Sequence, residues 1–183
     1  MDPSDEAAFK DFVVSQWHPL ARTAFLLTGD RGDAEDLVQS TLVRVHRHWT
    51  RIERTDAPYV YARRVMVNLN TSIWRRTRLT HQLTATPPER TGGPDAAAAV
   101  DLRDELLRAC RTLPPRMRAV LVLRYFEDLP EAEVAAALGI SVGTVKSQTS
   151  KALDKLRAAL AADPDGGHPA RTERTTTTNG SPA

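Results

Sequence analysis

Leu129-Pro130-Glu131-Ala132-Glu133-Val134-Ala135-Ala136-Ala137-Leu138-Gly139-Ile140-Ser141-Val142-Gly143-Thr144-Val145-Lys146-Ser147-Gln148 has the spacing of a helix-turn-helix. Ala135 is small where two helices cross closely. Gly139 permits a turn conformation that branched residues avoid, and Ser141 is placed to cap the second helix. Val145 is the apolar pin of that helix against the first. Its outward face offers Thr144, Lys146, Ser147, Gln148, Ser150 and Lys151, groups that bond phosphates and base edges in a major groove. Four Lys/Arg stand against one Asp from Ile140 to Arg157, as suits a phosphate-facing surface. An ordinary helical hairpin with a glycine in its turn has the same spacing, so the motif alone leaves both readings open.

Working outward, every other periodic stretch is helical as well. Phe9, Phe12, Val13, Trp17, Leu20, Ala24 and Leu27 recur at helical spacing until Thr28-Gly29-Asp30 breaks the run. A second helix is expected after Asp33 as N-cap, with Glu35 and Asp36 suiting the positive end of the helix dipole and Leu37, Val38, Thr41, Leu42, Val45 and Trp49 on one side. A third starts near Asp56-Ala57-Pro58, proline sitting where its missing N–H costs nothing, and frays near Thr80. Helices are also expected from about Asp101 to Thr112 and, after Pro114-Pro115, through Val120, Leu121, Leu123 and Tyr125, followed by two short ones around Gly139.

Between them, residues 81–99 turn to Thr, Pro, Gly and Ala, the composition of a linker. From Asp163 onward Gly, Pro, Thr and Arg predict a disordered tail at 163–183. No strand pattern of useful length occurs. The expected fold is therefore all-α: a helical domain at 5–80, a flexible linker at 81–99, and a helix-turn-helix domain at 100–162.

Composition excludes several classes. The chain has 183 residues, with 25 Lys+Arg against 23 Asp+Glu and a formal net charge of +2. No apolar run approaches the roughly 18 residues of a membrane span, and the acidic N-terminus lacks the pattern of a secretory signal. The expected setting is cytoplasmic, without a membrane partner. Cys110, the single cysteine, cannot form an intramolecular disulfide and reads as a small core residue. His46 and His48 are two apart, about 200° apart on a helix, so neither metal nor cofactor is expected. No nucleophile with a base at sensible spacing, carboxylate cluster or Gly-rich phosphate loop is present, which argues against an enzyme.

Charge is uneven within the near-neutral total. From Arg44 to His81 nine arginines face two acids, a local net charge of +7, and Trp49, Tyr59, Tyr61 and Trp74 interleave with them. Positive charge with stackable rings suits single-stranded or opening nucleic acid. A solvated basic face over core aromatics fits the same composition. Upstream, Asp33-Ala34-Glu35-Asp36-Leu37-Val38-Gln39 is acidic, ill suited to DNA and well suited to a basic protein partner.

The order of these pieces resembles a bacterial RNA polymerase sigma factor of the extracytoplasmic-function class: Asp-Ala-Glu-Asp-Leu-Val-Gln-Ser-Thr-Leu-Val-Arg-Val (33–45), Arg-Arg-Val-Met-Val-Asn (63–68), Trp-Arg-Arg (74–76), Leu-Pro-Pro-Arg-Met-Arg-Ala-Val-Leu-Val-Leu-Arg-Tyr (113–125), then the helix-turn-helix. The resemblance spans about Phe9 to Leu160. It implies that Glu35, Asp36, Leu37 and Gln39 dock on core RNA polymerase, and that the 50–58 loop with Arg54 and Asn68 receives a base flipped from the minus-ten element. Flipping costs a few kcal/mol of unstacking, part of which Asn68 can repay by bonding a base edge. By the same resemblance Arg75 and Arg76 hold duplex phosphates, while Lys146, Ser147, Gln148, Ser150 and Lys151 read the minus-thirty-five element with Thr144 on phosphate. Such factors are usually restrained by an anti-sigma partner, which no residue here identifies.

Two positions depart from the common pattern: Ser72 stands where many members carry Asp, and Gln148 where many carry Arg, a change that favours adenine contacts or looser recognition. A dimeric helix-turn-helix repressor is the main alternative reading. It leaves the acidic patch of the first domain without a purpose.

Overall fold

The computed structural model describes residues 2–53, 58–81 and 99–162, with side chains described for 2–52, 58–72 and 105–162. The chain folds into α1 (Pro3–Thr28), α2 (Arg31–Arg47), α3 (Trp49–Glu53), α4 (Pro58–His81), α5 (Ala99–Thr112), α6 (Pro115–Leu121) with a π-helical turn at Val122–Phe126, α7 (Glu131–Leu138) and α8 (Val142–Ala162). There is no strand among the described residues, which bears out the all-α reading.

Local chemistry sets the helix ends. Asp2 accepts from the backbone N–H of Ser4 and Asp5, and Asp5 returns a bond to the Asp2 N–H, a reciprocal cap that satisfies orphan donors. At the other end of α1 Gly29 takes φ 80° and donates to the Phe25 carbonyl. The N-cap of α2 is Asp30, whose carboxylate accepts from the Asp33 N–H at 3.0 Å. The helix therefore starts three residues before the position expected from Asp33. Asp33 serves in its first turn, the same dipole argument having acted one turn earlier.

The first bundle packs α1, α2 and α4 around Leu20, Ala24, Leu27, Leu37, Val38, Val45, Met66 and Val67. In α3, an element absent from the sequence reading, Trp49 and Ile52 are buried. The Trp49 ring lies 5.2 Å from those of both Phe9 and Phe12. The second bundle lays α5, α6 and α7 on α8, with Leu113, Leu121 and Ala152 ringed by Met117, Leu153 and Leu156. Its last helix is 21 residues long, not short as expected, because Leu153 and Leu156 extend the apolar stripe beyond Val145 and Ala152.

The two bundles sit against each other, α1 and α4 touching α5, α6, α7 and the π-helical turn. One cluster of buried apolar residues runs across both, joining Leu20 and Met66 to Val120, Leu123, Val134 and Val145, while Leu113, Leu121 and Ala152 form a separate one. The expected linker falls mostly at 82–98, and the expected tail at 163–183; both lie outside the described residues.

Candidate nucleic-acid interface

The helix-turn-helix is built as its spacing predicts. Gly139 ends α7 at φ 63°, in the left-handed region that glycine occupies at no steric cost. The Ser141 hydroxyl accepts from the Thr144 N–H at 3.1 Å, capping α8. Val145 is fully buried and Ala135 nearly so. With Val145 and Ala152 turned inward, Lys146, Ser147, Ser150 and Lys151 stand exposed, and Thr144 and Gln148 are half-buried. The face carries donors at both ends and acceptor hydroxyls between them, the mixture that bonds phosphate and base edges.

Several of these groups are already engaged. Thr144 shares a 2.8 Å hydroxyl bond with Ser141, and the Ser147 hydroxyl donates to the Thr144 carbonyl. The Gln148 side-chain oxygen is buried without a hydrogen-bond partner. Lys146 reaches the Glu131 carboxylate on α7 at 3.7 Å, an exposed pair. Such a pair contributes little, so the ammonium can exchange it for a phosphate.

In the first bundle, α4 turns Arg64 and Asn68 outward, on the face opposite Ala62, Met66, Val67 and Leu69. The Arg64 guanidinium lies 5.7 Å from the Tyr61 ring centre, and His48 meets the same ring edge-on at 6.3 Å. A cation, an aromatic face and an amide thus line consecutive turns of one helix. Arg75 and Arg76 belong to α4, but their side chains lie outside the described ones, and Arg54 lies outside the described residues altogether.

Other members of the basic, aromatic segment do different work. Trp49 is buried under α1. Tyr59 and Arg63 turn into the seam between the bundles, where both bond the Glu127 carboxylate at 3.1 Å. Burial and the negative charge of Glu127 push the Tyr59 phenol above its ordinary value. The +7 segment is therefore only partly a surface, since Arg63 is neutralised inside the protein.

On α2, Glu35, Asp36 and Gln39 are exposed, but Leu37 is 2% exposed and belongs to the core. Leu37, which the resemblance groups with them for docking, therefore lies on the core side of the helix in the free chain. Leu37 falls with Ala34, Val38, Thr41 and Val45 on the inward stripe of the helix, and the acids flanking it in sequence project the other way. Cys110 is half-buried, with its thiol pushed up by burial.

Two residues at the centre of the seam went unnoticed in the sequence, Arg118 and Glu127. Each pairs with groups more than 60 positions away, and no local pattern marks such a contact. A cleft of about 340 Å³ opens at Glu127, lined also by His18, Pro19, Arg22, Tyr59 and Phe126.

The chain matches two described families along its length: Sigma-70 region 2 over residues 13–80 and Sigma-70, region 4 over residues 103–156. It is 39% identical to the RNA polymerase sigma-E factor of Streptomyces coelicolor over 158 residues, covering 84% of this chain and 86% of that one. It is 34% identical to the ECF RNA polymerase sigma factor SigL of Mycobacterium tuberculosis, covering 77% and 82%. Among solved structures, the sigma factor RpoE of Bartonella quintana, crystallised with the anti-sigma factor NepR, shares the fold at a TM-score of 0.70, with 23% identity and coverage of 85% and 98%. CnrH, solved in complex with the cytosolic domain of CnrY, matches at a TM-score of 0.58 and 25% identity, over 86% and 90%.

Proposed function

The chain belongs to the sigma-70 family, in its extracytoplasmic-function class of factors for promoter-specific transcription initiation by RNA polymerase, and from that membership we propose that it reads a two-part promoter through the two surfaces described above. The observation that carries this reading is the outward face of α8, where Lys146, Ser147, Ser150 and Lys151 stand exposed on a helix pinned by Val145 and Ala152. That face reads the minus-thirty-five element in the major groove, with Thr144 at the capped end of the helix on phosphate and Gln148 beside it.

In the same proposal the domain at 5–80 does the other half of the work. Glu35, Asp36 and Gln39 dock on core RNA polymerase, whose complementary surface is basic. Asn68 bonds a base flipped from the minus-ten element, with Arg54 beside it, and Arg75 and Arg76 hold the duplex phosphates just upstream. Tyr61 and Arg64 add a stacking surface next to Asn68. A tether at 81–99 turns two weak sites into one stronger one by effective concentration.

The factor itself carries out no chemistry, and its place of action is the cytoplasm, with the polymerase. No helix among the described residues is long and apolar enough to cross a membrane. A restraining anti-sigma protein belongs to the proposal as well, since the similar folds of RpoE and CnrH were solved with NepR and with the cytosolic domain of CnrY. The test is run-off transcription with core polymerase on a matching promoter. Added initiation is expected, and none would overturn the reading.

A further inference from the structure

Gln148 sits at the edge of the outward face of α8, and its amide is buried at one end. Three residues before it Val145 is fully buried, and four after it Ala152 is too, so the inward stripe of the helix runs beside its stem. Thr144 and Lys151, four before and three after, flank it on the outer side. The Gln148 side-chain oxygen is sealed from solvent with no hydrogen-bond partner. The polar atom this leaves for a partner outside the helix is the amide nitrogen.

That orientation has a physical basis. The reverse one would seal two N–H donors in place of one acceptor, and orphaned buried donors are the rarer of the two. The neighbouring groups carry no such polarity. Thr144 shares its hydroxyl bond with Ser141, and Ser147 donates to the Thr144 carbonyl, but a hydroxyl turns to donate or accept as its partner requires. Lys146 and Lys151 only donate, on flexible stems that suit phosphate as well as bases. Gln148 differs from them in joining a fixed polarity to a short, planar group.

Polarity decides which base such a group can read. A glutamine reads adenine through both ends of its amide, at the adenine N6 and N7 positions. With the oxygen withdrawn the bond to the N6 amine is lost, and adenine keeps no advantage. Guanine presents two acceptors, N7 and O6, to the two hydrogens of the amide nitrogen, whereas thymine offers only O4 and cytosine only a donor. We propose that Gln148 selects guanine at its base pair of the upstream element, through the amide nitrogen alone. This inference rests on the two-part promoter reading, and it departs from the adenine contact that the residue type by itself favours.

The test uses core polymerase carrying the full chain, a duplex pool randomised through both promoter elements, and sequencing of the retained DNA. Gln148→Met removes the amide at nearly constant length, so the base pair whose preference it erases is the one Gln148 reads. At that pair the parent is expected to favour guanine on the contacted strand by about tenfold over each other base. Gln148→Arg presents donors only and is expected to keep the guanine preference. Gln148→Glu presents acceptors only and is expected to lose it, shifting toward cytosine, whose N4 amine donates. Each preference is a ratio within one pool, so a general loss of affinity in a variant does not enter it.

An adenine preference in the parent at that pair overturns the proposal. So does a guanine preference that persists in Gln148→Glu or disappears in Gln148→Arg, or a base profile untouched by Gln148→Met. A complex that retains no common sequence removes the promoter reading and this inference with it. A clear two-part sequence with adenine at the Gln148 pair removes the inference alone.

Discussion

The ammonium of Lys146, on α8, stands 3.7 Å from the carboxylate of Glu131 on α7. Both ends are accessible to water, so the pair contributes at most about 1 kcal/mol to folding. Its consequence is for the proposed binding. On that proposal Glu131 holds the lysine near the face that would meet DNA, and it also places a negative charge close to where phosphates would lie.

Lys146→Ala is expected to weaken occupancy of the upstream element. If the lysine contacts phosphate, the slope of log K against log salt falls by about one; if it contacts a base, about 1–3 kcal/mol of discrimination is lost. Glu131→Gln is expected to act the other way, tightening DNA binding while shifting stability by less than about 0.5 kcal/mol. Filter binding or anisotropy across a salt series, with the polymerase complex on promoter DNA, checks both. A loss of affinity in Glu131→Gln would show that the ion pair orients Lys146 rather than competing for it.

The two glycines with positive φ separate a backbone cost from a packing cost. Gly139 has nothing within 4 Å of an added Cβ, while Gly29 has the Arg111 stem. Gly139→Ala is therefore expected to cost about 1 kcal/mol, the strain of a left-handed alanine alone. Gly29→Ala adds overpacking and is expected to reach about 2–3 kcal/mol. Urea midpoints at constant slope provide the comparison, and equal costs would mean that Arg111 simply swings aside.

What was legible in the sequence follows from the range of each signal. Gly139, Ser141 and Val145 act within a few residues, and their spacing placed the turn, the cap and the pin correctly. Periodicity found the helices of both bundles, but it misplaced the start of α2, because Asp30 and Asp33 are both competent caps and only the backbone path chooses between them. It also missed α3, too short for a helical period to show. The docking of the bundles was invisible for a different reason. Glu127 follows Tyr125-Phe126, where an acid reads as solvated, and Arg63 sits in a run of arginines that reads as a DNA face. Only the three-dimensional meeting of the two, at 3.1 Å, takes both charges out of the surface count.

Tyr59 makes the seam sensitive to alkali. Its phenol is raised above the ordinary value chiefly by burial and then by Glu127, so the folded state keeps its proton at a pH where the unfolded chain has begun to release it. The unfolded state then binds fewer protons, and stability falls as pH rises through about 10. Below that value the contribution is fully present. Tyr59→Phe has no proton to lose, so its urea midpoint is expected to decline less between pH 8 and pH 10.5 than that of the parent, from a starting point about 1 kcal/mol lower for the lost hydrogen bond. Parallel declines would assign the alkaline loss to other groups.

The acidic N-terminal part of α2 offers the sharpest separation between folding and docking, because neighbouring residues point in opposite directions. Leu37 is enclosed by α1 and α4, and Leu37→Ala is expected to cost about 2–5 kcal/mol by lost burial and the cavity left behind. Asp36 and Gln39 are exposed on the other side. Asp36→Ala and Gln39→Ala are expected to leave the unfolding midpoint within about 0.5 kcal/mol while reducing affinity for core polymerase. Where a residue sits at the centre of that interface the loss reaches about 2 kcal/mol or more. Thermal unfolding of the free chain, read beside a polymerase-binding titration, gives two independent axes. The structure expects Leu37→Ala to move along the first, and Asp36→Ala and Gln39→Ala along the second. If the surface variants changed stability and left polymerase affinity intact, α2 would be a structural helix and the docking surface would have to lie elsewhere on the first bundle.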